Sequence, residues 1–428
     1  MTNWQEVRLG DVCIQITDGT HNTVKDCENG DCYLLSCKNI KNGNIEIGKN
    51  ERKIDRHTLE ELRKRTKTAK GDVLLSSVGT IGETAIIKLE NPNYEFQRSV
   101  AIFKPNLNFI TSEFLYYSLN SRKDILQHSA EGAVQQCLFI TPLKDFPISM
   151  PPIDVQKKIA GVLGALDDKI ELNNRINNNL EQQAQALFKS WFVDFEPFGG
   201  TMPDDWKIGK LEDVADFTNG YAFKSNELED DPISGKDYYD VFKQGHIMRG
   251  GGLNLTGTKS YYPKDKAEKL GKYVLRKGDI LMAMTDMKGN VAILGNTALM
   301  NIDDKYILNQ RVGLLRCNNE YAISYPYVYI LTNSFDFLKD LRNRANSGVQ
   351  VNLSSAEIKN SDVIIPSRDI NQGFNKIGEA IFEKIFANQQ ENIQLSALRD
   401  TLLPKLMSGE IDVSKVDINE LNVADKLL

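Results

Sequence analysis

The stretch from Lys70 to Ile87, KGDVLLSSVGTIGETAII, returns at Lys277 to Leu294 as KGDILMAMTDMKGNVAIL, displaced by 207 residues. A long-period repeat fixes architecture before any single motif is read. The likeness extends both ways. Upstream, Trp4, Leu9, Asp11 and Val12 of WQEVRLGDV match Trp206, Leu211, Asp213 and Val214 of WKIGKLEDV at a displacement of 202. Downstream, Gln97-Arg98 matches Gln310-Arg311, and YYSLNS (116–121) matches YILTNS (329–334), both at 213. From Val134-Gln135 against Val349-Gln350 the displacement settles at 215. Such drift is what loop insertions in a duplicated unit leave behind.

A chain of 428 residues is too long for one core, so two globular units with connecting structure are expected. With 41% hydrophobic and 26% charged residues, it has an ordinary globular composition. The formal net charge of -6 means that any nucleic-acid surface must come from local clustering of cations. No run of about 18 apolar residues appears, and MTNWQEVRLGDV lacks the layout of a secretion signal. A cytoplasmic protein without membrane contact is expected. The six cysteines (13, 27, 32, 37, 137 and 317) include no CxxC pair. Cys27, Cys32 and Cys37 sketch three zinc ligands only at the wrong spacing, and free thiols, with no metal and no cofactor, are the expectation.

Each unit opens with short β-type runs: DVLLSS, TAIIKL and SVAIFKP in the first, and DILMAM, VAILGN and RVGLLRC in the second. These read as strands of a mixed sheet. A short amphipathic helix is expected around Glu113–Asn120 and around Pro326–Thr332. Each unit then closes with a proline stop (Pro151-Pro152, Pro366), an N-cap Asp (Asp154, Asp369) and about 40 helical residues. No Pro interrupts the second helix before Pro404, and Gly409 is its C-cap.

Apolar residues recur by threes and fours at Ile159, Val162, Leu166, Ile170, Leu180, Leu187 and Trp191. Their repeat partners are Phe374, Ile377, Ile381, Ile385, Leu395, Leu402 and Leu406. This is a coiled-coil seam, and it carries Asn173 and Asn177 in one helix and Asn388 and Asn392 in the other. Buried Asn in a seam costs stability but fixes register. If the second helix pairs with the first it returns antiparallel, which predicts a dumb-bell with pseudo-twofold symmetry. Forty residues at 1.5 Å each make a rod of about 60 Å.

The Trp-Leu-Asp-Val opening, the KGD-strand, the Gln-Arg pair and IDVQKKIAGVLGALDDKIELNNRINNNLEQQAQALFKSWFVDF (153–195) together resemble the specificity subunits of type I restriction-modification systems. The resemblance covers nearly the whole chain. It implies an α+β fold with two repeat-related mixed α/β target-recognition domains, 1–153 and 197–367. These are joined by two long antiparallel coiled-coil helices, 154–196 and 368–409, and followed by a tail, 410–428. It further implies a non-catalytic subunit in which each domain reads one half of a split, asymmetric double-stranded DNA site and the helices measure the spacer. The implied partners are two adenine-methyltransferase subunits and, optionally, motor-endonuclease subunits. The second domain matches the first poorly over positions 13–50, as a reader of a different half-site requires.

A DNA reader needs cations for phosphates and amides, hydroxyls or Arg for base edges. Residues 52–70 hold eight Lys/Arg against three acids, and 259–277 hold seven against two. These windows read either as phosphate contacts or as solvated helix faces. The candidate DNA contacts in the first domain are Thr17, Asp18, Thr20, His21, Lys38, Asn39, Arg63, Lys64, Arg65, Lys67, Ser77 and Thr80. In the second they are Lys224, Arg249, Lys269, Lys272, Thr285 and Lys288. Arg63, Lys64, Arg65, Lys67, Lys269 and Lys272 come from the basic windows, and the others lie in loops of small polar residues (Thr17–His21, Ser36–Asn39, Ser76–Gly82, Thr218–Lys224, His246–Gly251 and Thr285–Asn290), which ordinary turns explain equally well. A shared Gln-Arg pair, like Gln135 and Gln350, fits a structural hydrogen-bonding role at least as well, because readers of different sequences need not share it.

NPNY (91–94) lacks the second proline of an adenine-methyltransferase NPPY turn and reads as a hairpin turn. GNIEIGKN from Gly43 ends in Asn50 where a phosphate loop needs Ser or Thr. Gly250–Gly252 is a glycine run, and no hydrolase motif occurs. An enzyme carrying its own recognition domains needs a cofactor-binding fold of well over 100 residues, for which the repeat leaves no room. A coiled-coil scaffold without DNA leaves the duplicated sheet domains unexplained.

Overall fold

The continuous apolar runs form strands that are covered on both faces: Val73–Ser76 and Ile280–Ala283 are buried at every residue. The computed structural model describes residues 4–41, 43–132, 136–255, 257, 259–287, 291–347, 350–413 and 416. The chain divides into unit 1, residues 1–173 with 391–428, and unit 2, residues 174–390.

In unit 1 a four-stranded antiparallel sheet runs in the order Cys13–Asp18, Val100–Pro105, Val73–Ser76, Thr84–Ile86. A three-stranded sheet places Cys32–Leu35 between Lys53–Ile54 and Tyr94–Phe96, the latter pair parallel. Gln5–Arg8 pairs with Pro147–Met150. Unit 2 repeats this order strand for strand. Its four-stranded sheet runs Ala215–Asn219, Val312–Cys317, Ile280–Ala283, Thr297–Leu299. Tyr238–Phe242 lies between Tyr261–Pro263 and the parallel Tyr306–Leu308, and Lys207–Lys210 pairs with Asp362–Ile365. The expected short helices are Ser112–Ser121 and Tyr325–Asn333.

Strand pairing corrects the sequence alignment in two places. Val73 faces Ile86, and its counterpart Ile280 faces Leu299, so Thr84-Ala85-Ile86 corresponds to Thr297-Ala298-Leu299. The expected strand VAILGN is therefore irregular chain. Six extra residues enter the turn before it, where Thr285–Met287 forms an added strand on Gln350–Asn352. Likewise Val73 faces Phe103 and Ile280 faces Leu315, which sets this strand's displacement at 212. The ion pairs Lys104–Asp72 at 2.5 Å and Arg316–Asp279 at 2.7 Å agree with that register. Gln97 therefore corresponds to Asn309 and Arg98 to Gln310, and the two Gln-Arg pairs are offset by one position. NPNY is not a hairpin turn either. It links the edge strand Thr84–Ile86 to Tyr94–Phe96, which belongs to the other sheet.

Over positions 13–50, where sequence likeness fails, the backbone still follows one path. The turns Cys37–Asn39 and Gln244–His246 are equivalent, and each is closed by a buried side chain. Asn39 Oδ1 accepts from Ser36 N at 2.9 Å, and His246 Nδ1 accepts from Lys243 N at 3.0 Å. Burial holds His246 below the ordinary imidazole range, so the ring stays neutral and keeps that acceptor.

The long helices run Ile153–Phe192 and Arg368–Met407. They begin two residues earlier than N-caps at Asp154 and Asp369 would set, so these are first-turn acids beside the positive end of the dipole rather than caps. The helix starts are tied down instead by two buried, repeat-related amides. Gln156 donates to Phe109 O and Pro151 O at 2.8 and 2.9 Å, and Asn371 to Tyr321 O and Pro366 O at 3.0 and 3.1 Å. Pro404 stands inside the last turn. Gly409, at φ +76°, donates to Leu406 O at 3.2 Å, which is the left-handed closure that glycine permits.

Within unit 1, Ile159, Leu163, Leu406 and Met407 share a core with Leu9, Phe114 and Ile148. Within unit 2, Phe188, Phe192, Phe374 and Phe382 share one with Trp206 and Tyr327. There Phe192 packs edge-on against Tyr327 and Phe374, both at 4.9 Å between centroids. Each long helix thus packs its first turns on the sheet domain it follows and its last turns on the other one. Of the seam residues Ile159, Phe374, Ile385 and Leu406 are buried and Ile377 is exposed, and Leu163, Phe188 and Phe192 are buried as well.

Candidate nucleic-acid interface

Three segments meet at the same place in each unit: the end of the first sheet strand, the turn leaving the parallel strand, and the long strand that follows. In unit 1, Thr20 N donates to Phe96 O at 2.8 Å and Arg98 N donates to Thr20 O at 3.0 Å. In unit 2, Tyr221 N donates to Leu308 O at 3.0 Å. Close approach needs glycine on the inner side. A Cβ on Gly19 would stand 2.1 Å from Phe96 O, and one on Gly220 2.0 Å from Asn309 O.

A cleft opens beside each junction. The unit 1 cleft, about 250 Å³, is lined by Thr20, His21, Asn22, Arg52, Gln97 and Arg98, among others. The unit 2 cleft, about 590 Å³, is lined by Lys243, Gln244, Thr285, Asn309, Gln310 and Arg311, among others. Donors and acceptors line both, as contact with base edges demands.

Several expected contacts turn out to serve the fold. Asn39 is buried and its Nδ2 donates to Glu46 O at 2.8 Å. Arg63 donates to Pro92 O and Tyr94 O at 2.7 and 3.0 Å, and Ser77 is buried beneath Arg98 O. Asn39 and Ser77 thus have no surface left to read DNA with, while Arg63 keeps part of its side chain exposed. Arg65 ties its helix to the strand end through Thr17 Oγ1, Asp18 O and Gly19 O at 3.0, 2.6 and 2.5 Å. Asp18 also holds His21 Nε2 at 2.6 Å. Thr20 is half-buried, with Oγ1 accepting from Asn22 N at 3.1 Å. Lys38 pairs with Glu51 and Lys64 with Glu61, while Lys67 and Thr80 are exposed.

The first basic window, centred on helix Arg56–Thr66, is largely neutralised: Arg52 meets Asp26, Arg56 meets Asp31 and Lys70 meets Glu90. In the second window Lys264 and Lys277 meet Asp304 and Glu383. Lys266, Lys269 and Arg276 are exposed, with no ion pair among the described residues. Lys224 and Arg249 are also exposed, and Lys272 lies over the Tyr273 ring at 4.8 Å. Thr285 and Gln244 hold each other through two hydrogen bonds of 2.6 Å. Lys288, Gln135 and Asn290 lie outside the described residues, and Gln350 is described only as part of a strand.

The seam amides sit in two equivalent pairs. In unit 1 Asn173 donates to Asn392 at 2.9 Å and to Glu391 at 2.8 Å. In unit 2 Asn388 donates to Asn177 at 2.8 Å. Donor Asn173 corresponds to donor Asn388 and acceptor Asn392 to acceptor Asn177, so one bond occurs twice, and within each unit the two helices run antiparallel.

Residues 1–182 and 203–397 both match the family profile described as the type I restriction modification DNA specificity domain. The chain belongs to that family. Among relatives, the MjaIX type I restriction enzyme specificity subunit of Methanocaldococcus jannaschii is 27% identical over 97% of this chain and 95% of its own. The HindI specificity subunit of Haemophilus influenzae is 26% identical over 96% and 100%. The crystal structure of the type I restriction-modification S subunit from M. genitalium shares the fold, with TM-score 0.55 and 17% identity over 95% of this chain and 96% of that one. The family profile thus falls twice on the duplicated module seen in the strand order. In this specificity subunit no group of His, Cys, Asp or Glu suited to a metal occurs among the described residues. Among those residues, too, no helix is long and apolar enough to cross a membrane.

Proposed function

We propose that this chain is the non-catalytic DNA-reading subunit of a cytoplasmic type I complex. Domain 1–153 reads one half of a split, asymmetric double-stranded site and domain 197–367 reads the other. Helices 154–196 and 368–409 set the spacer between halves and dock two adenine-methyltransferase subunits, with motor-endonuclease subunits joining some assemblies. The tail, 410–428, has no assigned part.

One observation carries this reading: a single scaffold occurs twice, down to its junction glycines and strand ion pairs, while the side chains lining the two clefts differ. Two copies of one scaffold with different linings suit two different half-sites. Helices of 40 residues give rods of about 60 Å, long enough to span more than one DNA turn of about 34 Å. The exposed Lys67, Lys224, Arg249, Lys269 and Lys272 are suited to phosphates, and Thr20, His21 and Thr80 to the groove.

Methylome sequencing of cells expressing this chain with the methyltransferase of its own system tests the reading. A split motif is expected, and exchanging residues 1–150 should alter one half only. Methylation by the isolated chain, or both halves changing together, would refute it.

A further inference from the structure

We infer that the three-residue turn between the parallel strand and the long strand is the base-reading element of each domain. It spans Gln97 to Ser99 in unit 1 and Asn309 to Arg311 in unit 2, and Arg98 and Arg311 each take a guanine edge in the major groove. This rests on the recognition function proposed above and names the residues that carry it.

The turn has the same frame in both units. Val100 N donates to Gln97 O and Val312 N donates to Asn309 O, both at 3.1 Å. Gly19 N and Gly220 N clamp the far side on Val100 O and Val312 O, again both at 3.1 Å. A frame this constant holds the three positions fixed: in unit 1 Gln97 and Arg98 line the cleft while Ser99 Oγ accepts from Cys37 N at 3.1 Å, and in unit 2 all three residues line it. The side chains themselves change at every position: Gln97 becomes Asn309, Arg98 becomes Gln310, and Ser99 becomes Arg311. Constant frame and variable content is the arrangement a pair of readers with different targets needs. The apparent identity of the two Gln-Arg pairs, which argued for a structural role, disappears once the strand register is known.

Arg98 and Arg311 also differ from the chain's structural arginines. Arg52, Arg56, Arg63, Arg65, Arg316 and Arg344 are held by carboxylates or carbonyls. Arg98 and Arg311 are exposed at the cleft walls, and neither side chain has a hydrogen bond or ion pair among the described residues. A cation that does no work for the fold is available to a ligand. The guanidinium fork matches guanine O6 and N7, and the neighbouring Gln97 or Gln310 amide matches adenine N6 and N7.

The test compares the motif methylated by the complete complex carrying the natural chain, Arg98→Ala or Arg311→Ala. Each variant should relax one guanine position in one half-site by roughly 10- to 100-fold and leave the other half and the spacer intact. Equal weakening at every position, with a shallower salt dependence, would mean that the arginines grip phosphate instead. A variant too weak to score is replaced by the charge-conserving exchange Gln97→Asn, Arg98→Gln and Ser99→Arg, which imports the turn of unit 2 into unit 1. An unaltered base preference in the first half would then overturn the proposal. A natural chain that yields no split motif sinks the recognition function itself. A split motif that neither variant alters sinks only the base-reading turn.

Discussion

Replacing Asn388 by Leu tests how the seam amides are satisfied. Asn388 and Asn177 are 2% and 8% exposed, and Asn388 donates to Asn177 at 2.8 Å. The single substitution leaves the Asn177 oxygen buried without that donor, at a cost of about 1–3 kcal/mol. For a unit of this size 1 kcal/mol moves the melting midpoint by about 2–4 °C, so the transition of unit 2 should fall by about 2–12 °C in calorimetry. Asn177→Leu together with Asn388→Leu removes both polar groups and leaves two apolar side chains of similar volume, so most of the loss should return. The repeat-equivalent pair is an internal control. Asn392 is only half-buried, and Asn173 also donates to Glu391, so Asn173→Leu with Asn392→Leu should show weaker coupling. If the double variant of the buried pair melts as low as the sum of its singles, the two amides do not satisfy each other and the account of the register is wrong.

Gly220→Ala should destabilise unit 2 and abolish recognition of one half-site, since its Cβ meets backbone 2.0 Å away; Gly271→Ala, with open space around its Cβ, should do neither. Glu95, which is fully buried, accepts from Thr66 and Thr68 at 2.9 and 2.7 Å, and burial raises its carboxyl above the ordinary range. The folded state therefore prefers the protonated form, and unit 1 should lose stability as pH rises from the ordinary carboxylate range through the raised value. Glu95→Gln should flatten that slope in melts taken from pH 4 to 8, and an unchanged slope would assign it to other groups. Deleting seven residues from each long helix shortens each by about 10 Å. The spacer in the methylated motif should then shrink by about three base pairs with both half-sites kept, and an unaltered spacer would show that the helices do not set it.

Duplication, strand identity and the two long helices were legible because they rest on apolar periodicity and on residues with one conformational meaning, such as Gly409. The register of the long strand was not. Gln-Arg against Gln-Arg is a stronger letter match than Val100 against Val312, and only the pairing of Val73 and Ile280 with Phe103 and Leu315 decides between them. The burial of Asn39 and Ser77 was hidden for a related reason: a polar residue in a loop looks the same whether it faces solvent or caps a buried turn. Gln156 and Asn371 were missed because the nearby Asp154 and Asp369 carry the stronger capping propensity. Their common spacing from the preceding proline, PPIDVQ and IPSRDIN, was the available signal.

The last turns of the second long helix carry a consequence for biosynthesis. Leu406, Met407 and Val413 complete the core that Leu9, Phe114 and Ile148 begin, so the domain translated first lacks part of its interior until nearly the whole chain has left the ribosome. A nascent chain stalled before residue 391 would carry an open apolar face on its first domain, a mark that chaperones and proteases recognise. Truncated copies would thus be removed before they could compete for partner subunits.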